Sequence, residues 1–134
     1  MAELEGGLPH EDAFTRLGVS QISGVGVFAI RRIPMNTDLF PNDPLGIRWI
    51  DGAEIAAITE PSLRALYDDF AIRRDGKLGC PANFNSMTVG WYLNEAPNGE
   101  QPNVRVDADL RFIATRDIAA GEELTIRYAT FSDT

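Results

Sequence analysis

The sequence predicts a β-rich α+β domain, because it alternates many short apolar stretches with turn residues and contains one clear amphipathic helix. The chain has 134 residues, the size of one ordinary domain, with the 44% hydrophobic and 24% charged residues typical of a folded protein. No internal repeat is visible. We therefore expect one domain over residues 14–134, preceded by a flexible polar arm over residues 1–13.

β-Branched and aromatic residues dominate the first apolar part of the domain. Residues 14–32 are rich in Val, Phe and Ile, and Ser23-Gly24 interrupts the run, so this segment predicts β structure with a turn. Residues 33–50 alternate three prolines with short apolar pieces. They predict short strands joined by turns.

Two helices are predicted next. Asp51, with Glu54 three residues later, resembles a capping box for a short helix that ends at Ile58. Pro61 opens the second helix, whose apolar residues follow the i, i+3, i+4, i+7 spacing of a single face. We expect this face to pack on a sheet. Its members are Leu63, Leu66, Tyr67 and Phe70.

The second half of the chain predicts strands separated by loops. Residues 76–81 indicate a turn and a short strand, whereas residues 83–93 fit a helix and an irregular loop equally well. Residues 94–103 are rich in turn formers and predict a surface loop. A hairpin is predicted over residues 104–115, and a last alternating strand over residues 122–128. On one face of that strand we expect Leu124, Ile126 and Tyr128.

The charge balance restricts the class of partner. Twelve basic and twenty acidic residues give a net charge of −8, which disfavours binding of a nucleic-acid backbone as the main task. An acidic surface suits a cationic partner, although it more often serves solubility. No apolar run approaches the roughly 20 residues of a membrane span, and the N-terminus lacks the apolar core of a signal peptide. We therefore expect a cytoplasmic protein that binds neither nucleic acid nor membrane.

Cysteine and histidine are too few for the commonest metal and nucleophile chemistry. Cys80 is the single cysteine, so no internal disulfide can form, and His10 is the single histidine. Together they fall short of the four ligands that a usual zinc site needs, and we expect no metal. A Ser-His or Cys-His pair would have to use His10, whose place in the polar N-terminal stretch disfavours that role.

Three segments together carry the functional signal. They are SGVGVFA at residues 23–29, WYLN at residues 91–94 with Pro102-Asn103 after it, and FIATRDIAAGEELTIRY at residues 112–128. In this order and at these separations they resemble the SET domain of protein lysine methyltransferases, from about Leu17 to Phe131. The last segment is the most specific of the three.

Each motif taken singly also fits a more ordinary structural role. GVGVFA matches the dinucleotide fingerprint G-x-G-x-x-A, but that fingerprint needs a helix at the glycines, and here a strand-like run leads to Pro34. The glycines alone could form a plain turn, and Asn94 and Asn103 could be loop residues. Tyr128 alone could be a core aromatic. Only the joint spacing favours the resemblance.

The resemblance implies a fold, a cofactor and a substrate. The fold is a β-clip-like set of small curved sheets with a C-terminal pseudoknot, which brings Asn94 and Tyr128 to its centre. The implied cofactor is S-adenosylmethionine, and the substrate is a lysine side chain of a protein. By the same resemblance, the backbone of Gly24, Val25 and Gly26 approaches the cofactor, and Asn94 and Glu95 contact it.

Tyr128 matches the family's catalytic tyrosine. Methyl transfer to an amine is an in-line displacement, so the enzyme mainly has to align nitrogen, methyl and sulfur. The resemblance implies that the Tyr128 hydroxyl orients the amine, and that an aromatic channel lowers the lysine pKa by desolvation. The residues expected to line this channel are Phe84, Tyr92, Ile126 and Phe131.

The chain departs from the family pattern in three ways. Glu95 stands where the family usually has His, and Ile126 stands where it often has Phe or Tyr, which suggests room for more than one methyl group. The family's C-terminal zinc-binding cysteine cluster is absent, so the channel would be closed by other means, be closed by a second subunit, or stay open. Two alternatives remain open: a catalytically inactive SET-like protein that binds peptide or cofactor, and an unrelated β-rich binding module.

Overall fold

The computed structural model describes residues 7–41 and 46–133. Within them, nine strands form three small sheets, and two short α-helices lie between the third and fourth strands of the chain, so the β-rich α+β prediction is confirmed. The predicted arm falls partly outside the described residues, at residues 1–6. The strands are β1 Thr15–Val19, β2 Val25–Ala29, β3 Ile47–Asp51, β4 Ile72–Arg74, β5 Lys77–Pro81, β6 Asn94–Glu95, β7 Val104–Val106, β8 Phe112–Ala114 and β9 Glu123–Ile126; the helices are α1 Gly52–Ala56 and α2 Pro61–Asp69.

The largest sheet has the strand order β1-β2-β9-β6. β9 pairs antiparallel with β2, where Leu124 lies opposite Val27, and parallel with β6, where Thr125 lies opposite Asn94. Because β9 is central and covered on both faces, Leu124, Thr125 and Ile126 are all buried. The prediction that Tyr128 continues this strand is wrong, since β9 ends at Ile126 and Tyr128 begins a 3₁₀ turn.

The hydrophobic core lies between this sheet and the β7–β8 hairpin, which forms as predicted. Val27, Ile33, Ala114, Ile118 and Leu124 are fully buried in it. Ile33 and Ile118 also exchange backbone hydrogen bonds of 2.8 Å in both directions, which closes the segment after β2 onto the segment after β8. Burial of each large aliphatic side chain contributes about 1.5–3 kcal/mol. The core thus holds the central strand β9 against the β7–β8 hairpin.

The helices form where the sequence predicts them, but one detail of the prediction is wrong. Asp51 is the N-cap of α1, yet its side chain makes no capping hydrogen bond, so the capping box is not formed. No residue of α2 is fully buried. Tyr67, on its apolar face, packs edge-on against Phe84, with ring centroids 5.1 Å apart. Among the described residues, no helix is long and apolar enough to cross a membrane.

The segment predicted as a surface loop, residues 94–103, is partly buried. It begins with β6 and ends at Asn103, which is only 3% exposed. The Asn103 amide accepts from the Thr125 N–H at 2.8 Å and donates to the Glu123 carbonyl at 2.9 Å, so its side chain acts as a pairing partner for β9. Arg127 then donates to the Ala96 carbonyl at 3.2 Å. The C-terminal strand is thereby held against this loop, as the predicted pseudoknot requires.

Candidate active site

Tyr128 lies where two cavities meet. The first, the polar cavity, has a volume of about 510 Å³ and is lined on one side by Ser23, Gly24, Val25 and Asn94. The second, the apolar cavity, has a volume of about 260 Å³, and its walls include Phe112, Ile126 and Phe131. Both cavities share one set of lining residues: Asp68, Asp69, Phe70, Trp91, Leu93 and Tyr128.

Tyr128 is held by hydrogen bonds at its side-chain hydroxyl and at its backbone N–H. Its hydroxyl donates a 2.8 Å hydrogen bond to the carbonyl of Leu93, and its backbone N–H donates a 2.9 Å hydrogen bond to Oε1 of Glu95. Phe131 packs edge-on against the ring, with centroids 6.2 Å apart. Burial, and secondly the charge of Glu95, raise the pKa of the Tyr128 phenol above its usual value. The phenol therefore remains protonated at neutral pH and holds a fixed direction.

The wall of the polar cavity is a tight turn between β1 and β2. Gly24 has φ +45°, in the left-handed region that favours glycine, and a Cβ there would meet nothing within 4 Å. The open space beside Gly24 thus belongs to the cavity. Asn94, on β6, holds this turn by donating from Nδ2 to the Ser23 carbonyl at 3.0 Å. The side-chain contacts of Asn94 with Ser20, Ser23, Val25 and Glu123 are all made by Nδ2, which leaves its Oδ1 as the acceptor end of the amide.

The structure brings most of the predicted site residues together. Gly24, Val25 and Asn94 line the polar cavity, and so does Tyr92, which was expected in the channel. The apolar cavity contains the predicted Ile126 and Phe131. The roles assigned to these residues remain predictions.

Three predicted site residues lie elsewhere. Phe84 packs on Tyr67 and lines neither cavity. Gly26 is buried beneath the carboxylate of Glu123 rather than against the polar cavity. The Glu95 side chain points to the Tyr128 backbone, and Glu95 is not among the residues that line the polar cavity.

Several lining residues were missed from the sequence. Asp68, Asp69 and Phe70, at the C-terminal end of α2, border both cavities. The helical periodicity marked Phe70 as apolar but could not show which segment it faces. Ser20 and Glu123 also support the site, through hydrogen bonds to Asn94 of 3.1 and 3.0 Å. Glu123 was visible only as a member of the AGEEL motif, and nothing in the sequence marked Ser20.

The arrangement suits transfer between two ligands of different shape. The polar cavity can hold a larger polar molecule, while the apolar cavity can hold a slender chain, and both open to the Tyr128 ring. No group of three or more His, Cys, Asp or Glu in the described ranges is placed to hold a metal ion. The side chains that line the two cavities can contribute positioning and desolvation.

Comparison with known proteins identifies one family. The family model described as SET domain matches residues 24–129. The fold is similar to that of a Plasmodium falciparum protein named as a candidate histone methyltransferase, at 18% identity and a TM-score of 0.55, covering 87% of this chain and 93% of that one. It is also similar to the methyltransferase domain of human PR domain-containing protein 2, at 20% identity and a TM-score of 0.57, covering 90% and 78%. No curated protein matches the chain.

Proposed function

The chain belongs to the SET-domain family, and from that premise we propose that it is an S-adenosylmethionine-dependent protein lysine methyltransferase. Membership confirms the resemblance drawn from the three sequence segments, and the fold likeness to the two methyltransferase structures agrees with it. One observation supports the proposal above the others. The two cavities, one polar and one apolar, meet at the ring of Tyr128.

The polar cavity fits the cofactor. Its volume of about 510 Å³ is in the range of small-molecule sites. When bound, the cofactor supplies a methyl group on a positively charged sulfonium. Gly24 and Val25 would hold it through their backbone, and Oδ1 of Asn94 would accept a hydrogen bond from the cofactor's amino group.

The apolar cavity fits the lysine side chain. Where Ile126, Phe131 and Phe112 line it, loss of water would lower the pKa of an entering lysine, because burial disfavours the ammonium form. The carboxylates of Asp68 and Asp69, which also line the cavity, act in the opposite direction and favour the ammonium form. The Tyr128 hydroxyl donates its proton to the Leu93 carbonyl, so its oxygen lone pairs can accept a hydrogen bond from the incoming amine. A neutral amine held in this direction can attack the methyl carbon in line. Ile126 leaves space in this cavity for more than one methyl group.

The substrate is proposed only as a class. The net charge of −8 suits a basic protein. A cytoplasmic location and a homo-oligomer that closes the channel are further proposals without a structural test. An inactive SET-like protein that binds cofactor or peptide is the second candidate, since Glu95 replaces the family's usual His.

The first test measures cofactor binding by thermal unfolding. S-adenosylmethionine at 100 times its Kd should add about 2.7 kcal/mol of stability. For a domain of this size, that is a rise in Tm on the order of 10 °C. ATP and NAD should give no rise. Asn94→Ala should reduce the shift, whereas Asn98→Ala, on the exposed loop, should preserve it.

The second test measures transfer itself. The protein is incubated with labelled S-adenosylmethionine and a basic protein mixture, and labelled lysine is identified by mass spectrometry. Label on lysine supports the methyltransferase. A selective thermal shift without label on any protein would favour the inactive alternative, and the absence of both would overturn the proposal.

A further inference from the structure

Three residues that are distant in the sequence meet behind the wall of the polar cavity. The Ser20 hydroxyl donates to the Glu123 carboxylate, with distances of 2.8 and 2.9 Å to its two oxygens. Asn94 Nδ2 lies 3.0 Å from Oε2 of Glu123 and 3.1 Å from Oγ of Ser20. We call this set, Ser20, Asn94 and Glu123, the latch. It ties the turn after β1 to the central strand β9.

The latch also fixes the backbone of the turn. The Ser20 oxygen accepts hydrogen bonds from the N–H groups of Ile22 and Ser23, at 2.9 and 3.3 Å. The hydroxyl proton faces Glu123, so the oxygen lone pairs face the turn. The position of Gly24, next along the chain, therefore depends on a carboxylate about a hundred residues away.

The chemistry of the latch requires a carboxylate at position 123. Both Glu123 oxygens accept hydrogen bonds, one from Ser20 alone and one from Ser20 and Asn94. A glutamine has one acceptor oxygen instead of two. Its amide N–H would face either Asn94 Nδ2, which is a donor, or Ser20 Oγ, which already accepts from three N–H groups. The substitution keeps size and shape, so it tests the hydrogen bonding rather than the packing.

The glycine at position 26 fits against the same carboxylate. A Cβ at Gly26 would collide with Oε2 of Glu123 and lie 3.0 Å from the Cβ of Ser20. Gly26 thus leaves room for the latch, although its part of the GVGVFA motif suggested direct approach to a cofactor. Of the two glycines in the motif, Gly24 lines the polar cavity itself. Gly26 acts indirectly, because it leaves space for the Glu123 carboxylate.

We propose that Glu123 and Ser20 are positioning residues for the cofactor: they hold Asn94 and the Ser23–Gly24 turn in the orientation that binds it. This inference rests on the proposed function. Neither residue lines the polar cavity, so neither touches the cofactor. Their effect is expected on cofactor affinity, while the apolar cavity on the other side of Tyr128 is unchanged.

The test compares Glu123→Gln with a matched control, Glu122→Gln. Glu122 is the preceding residue and loses the same charge, but its carboxylate binds Arg116 and the Ala119 N–H instead of the latch. For Glu123→Gln we expect the Kd of S-adenosylhomocysteine, measured by calorimetry, to rise about tenfold, or about 1.4 kcal/mol. The KM for a peptide substrate should be unchanged. Glu122→Gln should bind like the parent protein.

A second variant protects the test against misfolding. Ser20→Ala removes one hydroxyl and should weaken binding by a similar factor. Since the two variants share the loss of the Ser20–Glu123 hydrogen bond, the double variant should raise Kd by less than the product of the two single increases, whereas independent structural damage would give that product. Each variant is first compared with the parent protein by its ligand-free Tm.

The outcomes separate this inference from the proposed function. Parent protein that binds no S-adenosylhomocysteine and no S-adenosylmethionine would overturn both. If the parent protein binds the ligand, and the Glu123→Gln and Ser20→Ala variants are folded and bind it with unchanged Kd, the positioning role of the latch is overturned and the proposed function is not. A rise in peptide KM equal to the rise in Kd would also contradict it, because the damage would then not be confined to the cofactor side.

Discussion

The carboxylate of Glu95 accepts a 2.9 Å hydrogen bond from the backbone N–H of Tyr128. Glu95 therefore contacts the backbone of Tyr128 rather than its ring, at the point where the chain leaves β9 and enters the 3₁₀ turn Tyr128–Thr130. Its other oxygen lies 3.9 Å from a guanidinium nitrogen of Arg127. The residue that replaces the family's usual His thus helps to hold the ring between the two cavities.

This contact predicts different effects for two substitutions of Glu95. Glu95→Gln keeps an acceptor for the Tyr128 N–H, so kcat should stay within about threefold of the parent value. Glu95→Ala removes the acceptor, and kcat should fall about tenfold as the ring loses its fixed direction. Initial rates of methyl transfer at saturating cofactor measure both. Equal rates for the two variants would contradict a positioning role for this carboxylate.

The pKa of Tyr128 predicts a pH dependence. Burial and Glu95 raise the phenol pKa, so the folded protein keeps this proton to higher pH than the unfolded chain. The resulting stability is fully present below the unfolded pKa of about 10 and is lost as the pH rises through the folded value. Tyr128 ionisation should therefore not depress transfer below about pH 10. Glu95→Gln should lower the phenol pKa, measured by ultraviolet difference titration against Tyr128→Phe.

Tyr128→Phe tests the hydroxyl itself. The ring can keep its packing on Phe131, so the loss of one hydrogen bond to Leu93 should cost only about 1 kcal/mol of unfolding free energy. Transfer should fall by about 10²-fold or more, because the amine loses its orienting oxygen. Tyr67→Phe is the control, since Tyr67 packs on Phe84 outside both cavities. Retained activity in Tyr128→Phe would remove this tyrosine from the reaction.

Asn103→Ala should lower the free energy of unfolding by more than is usual for a residue at the end of a loop. The substitution leaves the Thr125 N–H and the Glu123 carbonyl without their buried partner. We expect a loss of about 2–4 kcal/mol of unfolding free energy, measured by urea denaturation. Asn98→Ala, at an exposed position in the same loop, should change it by less than about 0.5 kcal/mol. Similar losses for the two variants would contradict the conclusion that the Asn103 side chain holds β9.

Local patterns predicted the local elements well. The alternating valines gave β2, the proline at position 61 began α2, and the hairpin of β7 and β8 lies where the turn residues place it. Each of these depends on neighbours within a few residues. The family resemblance then supplied the approach of the C-terminal segment to the Asn94 region, which no local pattern could provide, whereas the sheet order around β9 was not predicted.

The errors share one physical cause, which is long-range pairing. Asn103 looked like a loop residue because its partners on β9 lie about twenty residues ahead. The face of α2 was expected against a sheet, and the partner of its Tyr67 ring, Phe84 in a 3₁₀ turn, was not foreseen. The contacts of Glu95 and Gly26 with the cofactor stay predictions, but the carboxylates of Glu95 and Glu123 set the surroundings of these two positions in a way that the sequence did not indicate.

The central place of β9 has a consequence for how the protein folds. Its neighbour β2 lies almost a hundred residues earlier in the chain, so their pairing closes a very long loop. Chains with such distant contacts fold slowly, and until β9 arrives, β2 presents an unpaired edge that can associate with other chains. The yield of refolded protein should therefore fall as the chain concentration rises. The two cavities depend on this pairing, because Ile126 and Tyr128, at the end of β9 and just after it, line them.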